Sequence, residues 1–255
     1  MGMVLSNGMP QDLTERQKTI LDAVVREYVA TAEPVASGDL VEQYNLPFSP
    51  ATVRSELLAL DGAGYVGQPH TSAGRVPTDK GYRYFINHAM PAAPAGARAD
   101  HDGVRGREER MLRPLRGLTD PVDFIRQASR LMAECTHTLA LAGFPDEDMF
   151  YKSGASEVLQ EPEFSDRSLM HQFNALVEVI EDELMAEFKP SELGEPRIFI
   201  GSENPIREAR RYGMVVSSYE TPFNRESVVC LIGPKRMDYA HNVALLKHLR
   251  ELLET

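Results

Sequence analysis

Two short stretches hold side chains that suit contacts to nucleic acid. Residues 49–55 (SPATVRS) combine hydroxyl groups, an alanine and one arginine, and residues 70–75 (HTSAGR) bring together an imidazole, two hydroxyls and a second arginine. Hydroxyl and guanidinium groups bind phosphate oxygens, and arginine also binds the edge of guanine. These stretches predict contacts to duplex DNA, and the residues expected to make them are Ser49, Ala51, Thr52, Arg54, Ser55, His70, Thr71, Ser72 and Arg75.

Helix signals surround the first stretch. Thr14 begins a capping-box pattern before a run of apolar residues at helical spacing, and this first helix must end before Pro34. Ser37 is expected to cap a short second helix over residues 38–44, which Asn45 closes in a left-handed conformation. Ser49 then caps a third helix that has Pro50 in its first position and covers residues 50–61.

The third helix separates apolar from polar positions. At about 100° per residue, one narrow stripe faces the other helices. The residues of that stripe are Val53, Leu57 and Leu60. Ala51 and Ser55 lie on the opposite side, flanked by Thr52 and Arg54, so small and polar groups face outward. Leu58 lies nearer this outward side than the apolar stripe, and the helical pattern gives no reason for it.

A two-stranded ribbon is predicted after the third helix. Residues 65–68 and 75–77 fit short strands, residues 69–74 contain turn formers, and Thr78 caps a fourth helix that ends at His88. Three helices followed by such a ribbon are typical of a winged helix-turn-helix, whose third helix enters the major groove. Winged helices also serve as protein-interaction modules, and a plain surface turn would explain the hydroxyls at the ribbon tip.

The rest of the chain divides into a linker and a second domain. We expect a winged-helix domain over residues 1–90, a linker over 91–118 and an α+β domain over 119–255. The predicted helices of the last part cover residues 120–141, 165–188 and 239–253. Its predicted strands cover residues 197–200, 214–219 and 227–232.

Negative charge is concentrated in one segment. The chain has a formal net charge of −11. Residues 145–195 contain 14 acidic and 3 basic side chains, so the net charge of this segment alone is also −11. Residues 1–90 carry 7 basic and 10 acidic side chains, so the local basic excess that DNA binders usually show is absent from this segment. The acidic segment is interpreted as a solvated helical face, and a surface that binds a protein partner is the alternative.

Several classes of function lack their sequence signals. The chain has no P-loop, no glycine-rich dinucleotide turn, no GxSxG and no HExxH, so we expect neither an enzyme nor a cofactor. Cys135 and Cys230 are far apart and have no metal-ligand spacing, so both are predicted to be structural. No apolar run approaches the roughly 18 residues of a membrane span, and the first residues do not resemble a signal peptide. We therefore expect a cytoplasmic protein without a membrane partner.

Longer motifs resemble one known family. Residues 67–86 (GQPHTSAGRVPTDKGYRYFI), together with LTERQ at 13–17, EPEFSD at 161–166 and IGPKRMDY at 232–239, are similar to the HrcA family of bacterial heat-shock transcription repressors. The resemblance implies a homodimer with winged-helix units and a GAF-like second domain. It also implies repression of chaperone operons through the inverted-repeat operator CIRCE, with the chaperonin GroEL keeping the repressor active.

The sequence departs from that family in its middle. Where family members carry several strands and an inserted dimerisation segment, this chain has only residues 146–148 between Phe144-Pro145 and Met149-Phe150. The resemblance therefore implies a shortened GAF-like sheet. A sensor of small ligands, built on the GAF-like domain, remains a second hypothesis, and an adaptor that binds protein through residues 145–195 remains a third.

Overall fold

The computed structural model describes residues 13–70, 73–88, 106, 109–189 and 194–253. The chain forms two compact units, Met1–Phe85 and Ile86–Thr255, which we refer to as the first and second unit. The domain boundaries at residues 90 and 118 remain predictions. Most of the predicted linker, residues 91–105 and 107–108, lies outside the described residues.

The first unit follows the predicted order of elements. Its helices are α1 (Glu15–Thr31), α2 (Ser37–Gln43), α3 (Pro50–Gly62) and α4 (Asp79–His88), and α4 reaches three residues past Phe85. Two short strands, β1 (Val66–Gly67) and β2 (Val76–Pro77), pair antiparallel between α3 and α4. The predicted capping box of α1 is present, since the Gln17 amide donates to the Thr14 hydroxyl at 3.3 Å and the Gln17 side chain accepts from the Thr14 amide at 3.0 Å.

The start of α2 differs from the prediction. Ser37 is the first residue of the helix and is buried, while Ala36 occupies the capping position and provides no side-chain hydrogen bond. Val35, two residues before the helix, lies in an antiparallel bridge with Arg75. Asn45 has the predicted left-handed conformation, with φ of 47°.

The second unit contains a five-stranded antiparallel sheet. Its helices include α5 (Pro121–Thr136), α6 (Ala155–Val158), α7 (Arg167–Glu187) and α8 (Tyr239–Leu253). Its strands are β3 (Leu139–Phe144), β4 (Met149–Ser153), β5 (Arg197–Ile200), β6 (Gly213–Glu220) and β7 (Glu226–Gly233), arranged in the order β4-β3-β7-β6-β5. The mixed α+β class is therefore confirmed.

Two of these strands were not predicted. Residues 139–141 were assigned to the end of a helix, but α5 ends where His137 takes a left-handed conformation with φ of 53°, and β3 begins two residues later. A short strand in the middle of a sheet is apolar at every position. Its sequence therefore lacks the alternation that would distinguish it from a segment of a buried helix. Strand β4 follows after only three 3-10 residues and Asp148, and it pairs with β3 from Phe144↔Met149 to Ala140↔Ser153.

Helices cover both faces of this sheet. Helix α7 packs its apolar stripe, Phe173, Leu176, Ile180 and Leu184, against Leu141, Met214 and Cys230 on one face. Helices α5 and α8 pack against strands β3 and β6. Burial raises the pKa of the Cys230 thiol, which therefore stays protonated and unreactive, as expected of a structural cysteine. Cys135 on α5 is half-buried.

The last part of the predicted linker packs within the second unit. Leu112 and Leu115 are fully buried, and a 3-10 turn runs over Arg113–Gly117. The Arg116 guanidinium donates to the Leu252 carbonyl at 2.8 Å, which ties this turn to the end of α8. No helix among the described residues is long and apolar enough to cross a membrane.

We predict that Asn204 holds the turn between β5 and β6. Its side-chain amide is buried and donates to the carbonyls of Gly201, Ala209 and Tyr212 at 3.0 to 3.1 Å. Asn204→Ala removes these buried side-chain hydrogen bonds, although each of the three carbonyls keeps a backbone N–H donor, so the free energy of unfolding should fall by about 1–3 kcal/mol in urea titrations. Arg207→Ala is the control, because the side chain of Arg207 is 84% exposed and its ion pair with Glu208 lies at the surface. Equal losses for the two variants would contradict this role of Asn204.

Candidate nucleic-acid interface

The N-terminus of α3 is closed by its own residues. The Ser49 hydroxyl accepts from the Thr52 amide at 3.1 Å and lies 2.9 Å from the Thr52 hydroxyl. Pro50 occupies the first turn, where its missing N–H needs no partner. Both hydroxyls are therefore placed at the exposed start of the helix, where each keeps further hydrogen-bonding capacity.

Burial fixes which side of α3 faces outward. Val53 and Leu60 are fully buried and Leu57 is 5% exposed, as the helical pattern predicts. An ion pair of 2.7 Å between the Arg16 guanidinium and Glu56 connects α1 to the flank of α3. At the other end, the Lys80 ammonium donates to the Ala63 carbonyl at 2.8 Å, which closes the C-terminus of the helix. The rotation of α3 about its axis is thus determined by contacts on three sides.

The opposite side of α3, which we name the outward face, is exposed to solvent. Its members are Ala51, Arg54, Ser55, Leu58 and Ala59, all of them exposed. Three of the five side chains are no larger than serine. At Ala51, Ser55 and Ala59 the helix backbone is therefore covered only by small side chains.

Arg54 differs from the other basic residues of the first unit. Arg16, Lys18, Arg26 and Arg75 each form an ion pair, Lys80 donates to a carbonyl, and Arg83 also has a partner. For the Arg54 guanidinium, the described residues offer no hydrogen bond or ion pair. Its five N–H donors therefore remain available to a ligand at the surface.

The ribbon is held against the start of α2. The Arg75 amide donates to the Val35 carbonyl at 2.8 Å, and the Val35 amide donates to the Arg75 carbonyl at 2.9 Å. Gly74 makes this approach possible, because a Cβ atom at this position would lie 2.4 Å from the Val35 carbonyl oxygen. Within the tip, the Gln68 side chain donates to the Ala73 carbonyl at 2.9 Å.

Arg75 lies differently from the sequence-based expectation. Its guanidinium pairs with the Asp61 carboxylate at 3.2 Å, and the side chain is only 13% exposed. The residue connects the ribbon to the last turn of α3, a role that sequence could not reveal because Asp61 and Arg75 are separated along the chain. Its predicted contact with a DNA phosphate stays a prediction.

The remaining predicted contacts lie at the ribbon tip. His70 is exposed, and its carbonyl accepts from the Ala73 amide at 2.9 Å. Thr71 and Ser72 lie outside the described residues. The structure thus brings Ser49, Thr52, Arg54 and Ser55 together on one helix, and it adds Gly74 and Asp61 as residues that position the ribbon beside it.

A surface cleft separates α3 from the ribbon. It has a volume of about 310 Å³ and is lined by Arg54, Leu57 and Leu58 of α3, by Gln68 and Arg75 of the ribbon, and by Ser37. The cleft is open and contains both apolar and cationic groups. Among the residues described, no group of three or more His, Cys, Asp or Glu side chains could hold a metal ion. The chemistry available here is hydrogen bonding and charge pairing.

A family model matches half of the chain. The model described as the HrcA protein C terminal domain covers residues 116–243. A protein of Symbiobacterium thermophilum, named heat-inducible transcription repressor HrcA, is 39% identical over 158 residues, which are 62% of this chain and 43% of the relative. The protein of the same name from Beutenbergia cavernae is 46% identical over 134 residues, or 51% of this chain and 35% of the relative. The chain thus spans less than half the length of these curated relatives.

One solved structure shares the fold. The crystal structure of a hypothetical protein matches with a TM-score of 0.75 and 19% sequence identity, and the match covers 95% of this chain and 98% of that chain. Because the two sequences are only 19% identical, the match shows a shared fold and nothing further. It establishes that the arrangement of elements described above occurs in another protein of similar extent.

We predict that Gly74→Ala loosens the ribbon. The added methyl group would lie within 2.7 Å of backbone atoms of Pro34 and Val35, so the bridge between Val35 and Arg75 must open or shift. We expect a loss of about 1–3 kcal/mol in unfolding free energy and faster hydrogen exchange at the Val35 and Arg75 amides.

Gly62→Ala is the matched control for this substitution. A Cβ atom at Gly62 meets no atom within 4 Å, and the residue is helical. The control should leave the protein unchanged or stabilise it by up to about 1 kcal/mol. If Gly74→Ala leaves hydrogen exchange at both amides unaltered, the close approach of the ribbon to α2 is not what the glycine provides.

Proposed function

The chain belongs to the HrcA family, and we propose that it is a transcription repressor whose first unit is a winged helix-turn-helix that binds operator DNA. In this proposal α3 enters the major groove, and the ribbon of β1 and β2 is the wing. The protein is then a regulator and not an enzyme. Its action on DNA places it in the cytoplasm of a bacterial cell.

The outward face of α3 is the observation that supports DNA binding. Ala51, Ser55 and Ala59 let the helix backbone approach the base edges, and the Thr52 and Ser55 hydroxyls can bind base edges or phosphate. Arg54 has a guanidinium that no side chain of the described residues neutralises, so it can bind guanine with two hydrogen bonds or bind phosphate. Ser49 and His70 then contact the DNA backbone at either side.

The charge of the first unit favours binding as a pair. With 7 basic and 10 acidic side chains in residues 1–90, one unit gains little from general attraction to phosphates. A homodimer on an inverted repeat makes every contact twice, which converts weak half-site binding into a stable complex. We therefore propose a two-fold symmetric homodimer on a CIRCE-type inverted repeat.

Family membership supports a proposal for the regulated genes and for the regulator. The relatives carry the name heat-inducible transcription repressor, and we propose that this chain likewise represses heat-shock operons that encode chaperones. We also propose control by the chaperonin GroEL. In that scheme, unfolded proteins occupy the chaperonin after heat shock, repressor activity falls and transcription rises.

We predict that Arg54 contributes directly to operator binding. In binding titrations of the full chain with a CIRCE-type duplex, Arg54→Ala should weaken the complex at least about thirtyfold, because a bidentate contact contributes roughly 1–3 kcal/mol in each of the two half-sites. Arg54→Lys keeps the positive charge but loses the planar guanidinium group. Relative to Arg54→Ala, it should therefore recover affinity if Arg54 binds phosphate, and it should not recover affinity if Arg54 binds guanine.

The control for this experiment is Arg207→Ala. It removes the same charge from an 84% exposed arginine of the second unit and should leave affinity unchanged. A scrambled duplex of equal composition reports non-specific binding. If Arg54→Ala and Arg207→Ala bind the operator duplex equally well, α3 does not present Arg54 to DNA.

We predict that two chains bind one inverted repeat. Light scattering or native mass spectrometry should give a complex of two chains and one duplex. Scrambling one half-site should weaken binding by at least about a hundredfold, because the second half-site is bound at a high effective concentration. A complex of one chain with an intact inverted repeat would rule out the symmetric arrangement.

A further inference from the structure

Leu58 is a large apolar side chain on a surface of small residues. It is 58% exposed, whereas its neighbours Leu57 and Leu60 are 5% and 0% exposed. A single exposed leucine is common on protein surfaces and needs no special function. The position of Leu58 on α3 is more informative than its exposure.

Helical geometry places Leu58 at the centre of the outward face. Ser55 is three positions and Arg54 four positions before it, so all three side chains are neighbours on the helix surface. Ala51 lies two turns away on the same line. Leu58 also lines the cleft of about 310 Å³ together with Arg54. Leu58 therefore projects beyond the small side chains of the outward face. It lies directly beside Arg54, which has no partner among the described residues.

We propose that Leu58 contacts the C5 methyl group of a thymine close to the base pair that Arg54 contacts. The proposal rests on the proposed function, because it requires the outward face of α3 to lie in the major groove. The thymine methyl is the apolar group that base pairs present in that groove, and apolar side chains recognise it. Contact with it gives Leu58 an apolar environment in the complex and makes it a specificity-determining residue.

Distances along the helix limit which thymine can be contacted. Four residues of α-helix rise about 6 Å, and successive base pairs are about 3.4 Å apart on one strand. The thymine should therefore lie within about two base-pair steps of the pair bound by Arg54. Arg54 and Leu58 together read a short sequence that contains both a hydrogen-bonding base and a methyl group.

The experiment removes the methyl group from the DNA. In the CIRCE-type duplex, each thymine is replaced in turn by deoxyuridine at symmetric positions of both half-sites, and the full-length wild type and Leu58→Ala are titrated with each duplex. At one position, uracil should weaken wild-type binding by about fourfold per half-site, which corresponds to burial of one methyl group. Leu58→Ala should lose the same factor on the thymine duplex and show no difference between thymine and uracil at that position.

Two further variants keep the result interpretable. Leu58→Met retains an apolar side chain of similar volume and should keep the preference for thymine. Arg54→Ala should weaken binding but keep the difference between thymine and uracil. Because Leu58 is 58% exposed, its truncation creates no buried cavity, and thermal unfolding of Leu58→Ala should match wild type.

Three outcomes would overturn the proposal. The first is a wild type that prefers the operator duplex to the scrambled duplex but is insensitive to uracil at every position. The second is Leu58→Ala with an undiminished preference for thymine. The third is loss of the dimer by Leu58→Ala in the absence of DNA, which would assign Leu58 to a contact between chains. A wild type that does not distinguish operator from scrambled duplex would overturn the proposed function as well.

Discussion

Burial of one apolar stripe determines how α3 is presented. Val53, Leu57 and Leu60 are removed from water, and each such side chain contributes about 1.5–3 kcal/mol relative to exposure. Rotating the helix by even a quarter turn would expose part of this stripe, so the orientation is strongly preferred. Because side chains have fixed angular positions on a helix, the same burial also fixes the directions of Ala51, Arg54, Ser55 and Leu58. The proposed function and the inference about Leu58 both depend on this constraint.

Ion pairs around α3 leave one cation free among the described residues of the first unit. Glu56 is occupied by Arg16 and Asp61 by Arg75, at 2.7 and 3.2 Å. These pairs join α3 to α1 and to the ribbon, and they neutralise two carboxylates beside the proposed interface. Arg54 is then the guanidinium available to a ligand. A first unit with few basic residues can still present a positive group where the proposed interface needs it.

The second unit has a different electrostatic character. Helix α7 buries one stripe against the sheet and exposes Glu178, Asp182 and Glu187. Arg236 pairs with both Glu161 and Glu163 and so connects the segment before α7 to the turn after β7. Two of the family-like motifs, EPEFSD and IGPKRMDY, are therefore in direct contact in the fold.

The sequence by itself determined the elements whose signals are local. The capping box at Thr14, the cap at Ser49 with Pro50 after it, and the 3.6-residue periodicity of α3, α7 and α8 all depend on residues within one or two turns of each other. Such interactions exist in the helix alone, so the amino-acid pattern is enough to predict them. The buried residues of α3 were predicted for the same reason.

Only the tertiary structure decided what depends on residues distant in sequence. Strand β3 is a strand because β4 and β7 pair with it, and the pairing of Val35 with Arg75 exists only because folding brings the ribbon beside the segment before α2. Arg75 turns toward Asp61 because folding brings the end of α3 beside the ribbon. Arg54 and Leu58 were visible in the sequence as outward positions. Their importance emerged only when folding had supplied partners to the other basic residues and buried the other leucines of α3, since partnership and burial are properties of the packed chain.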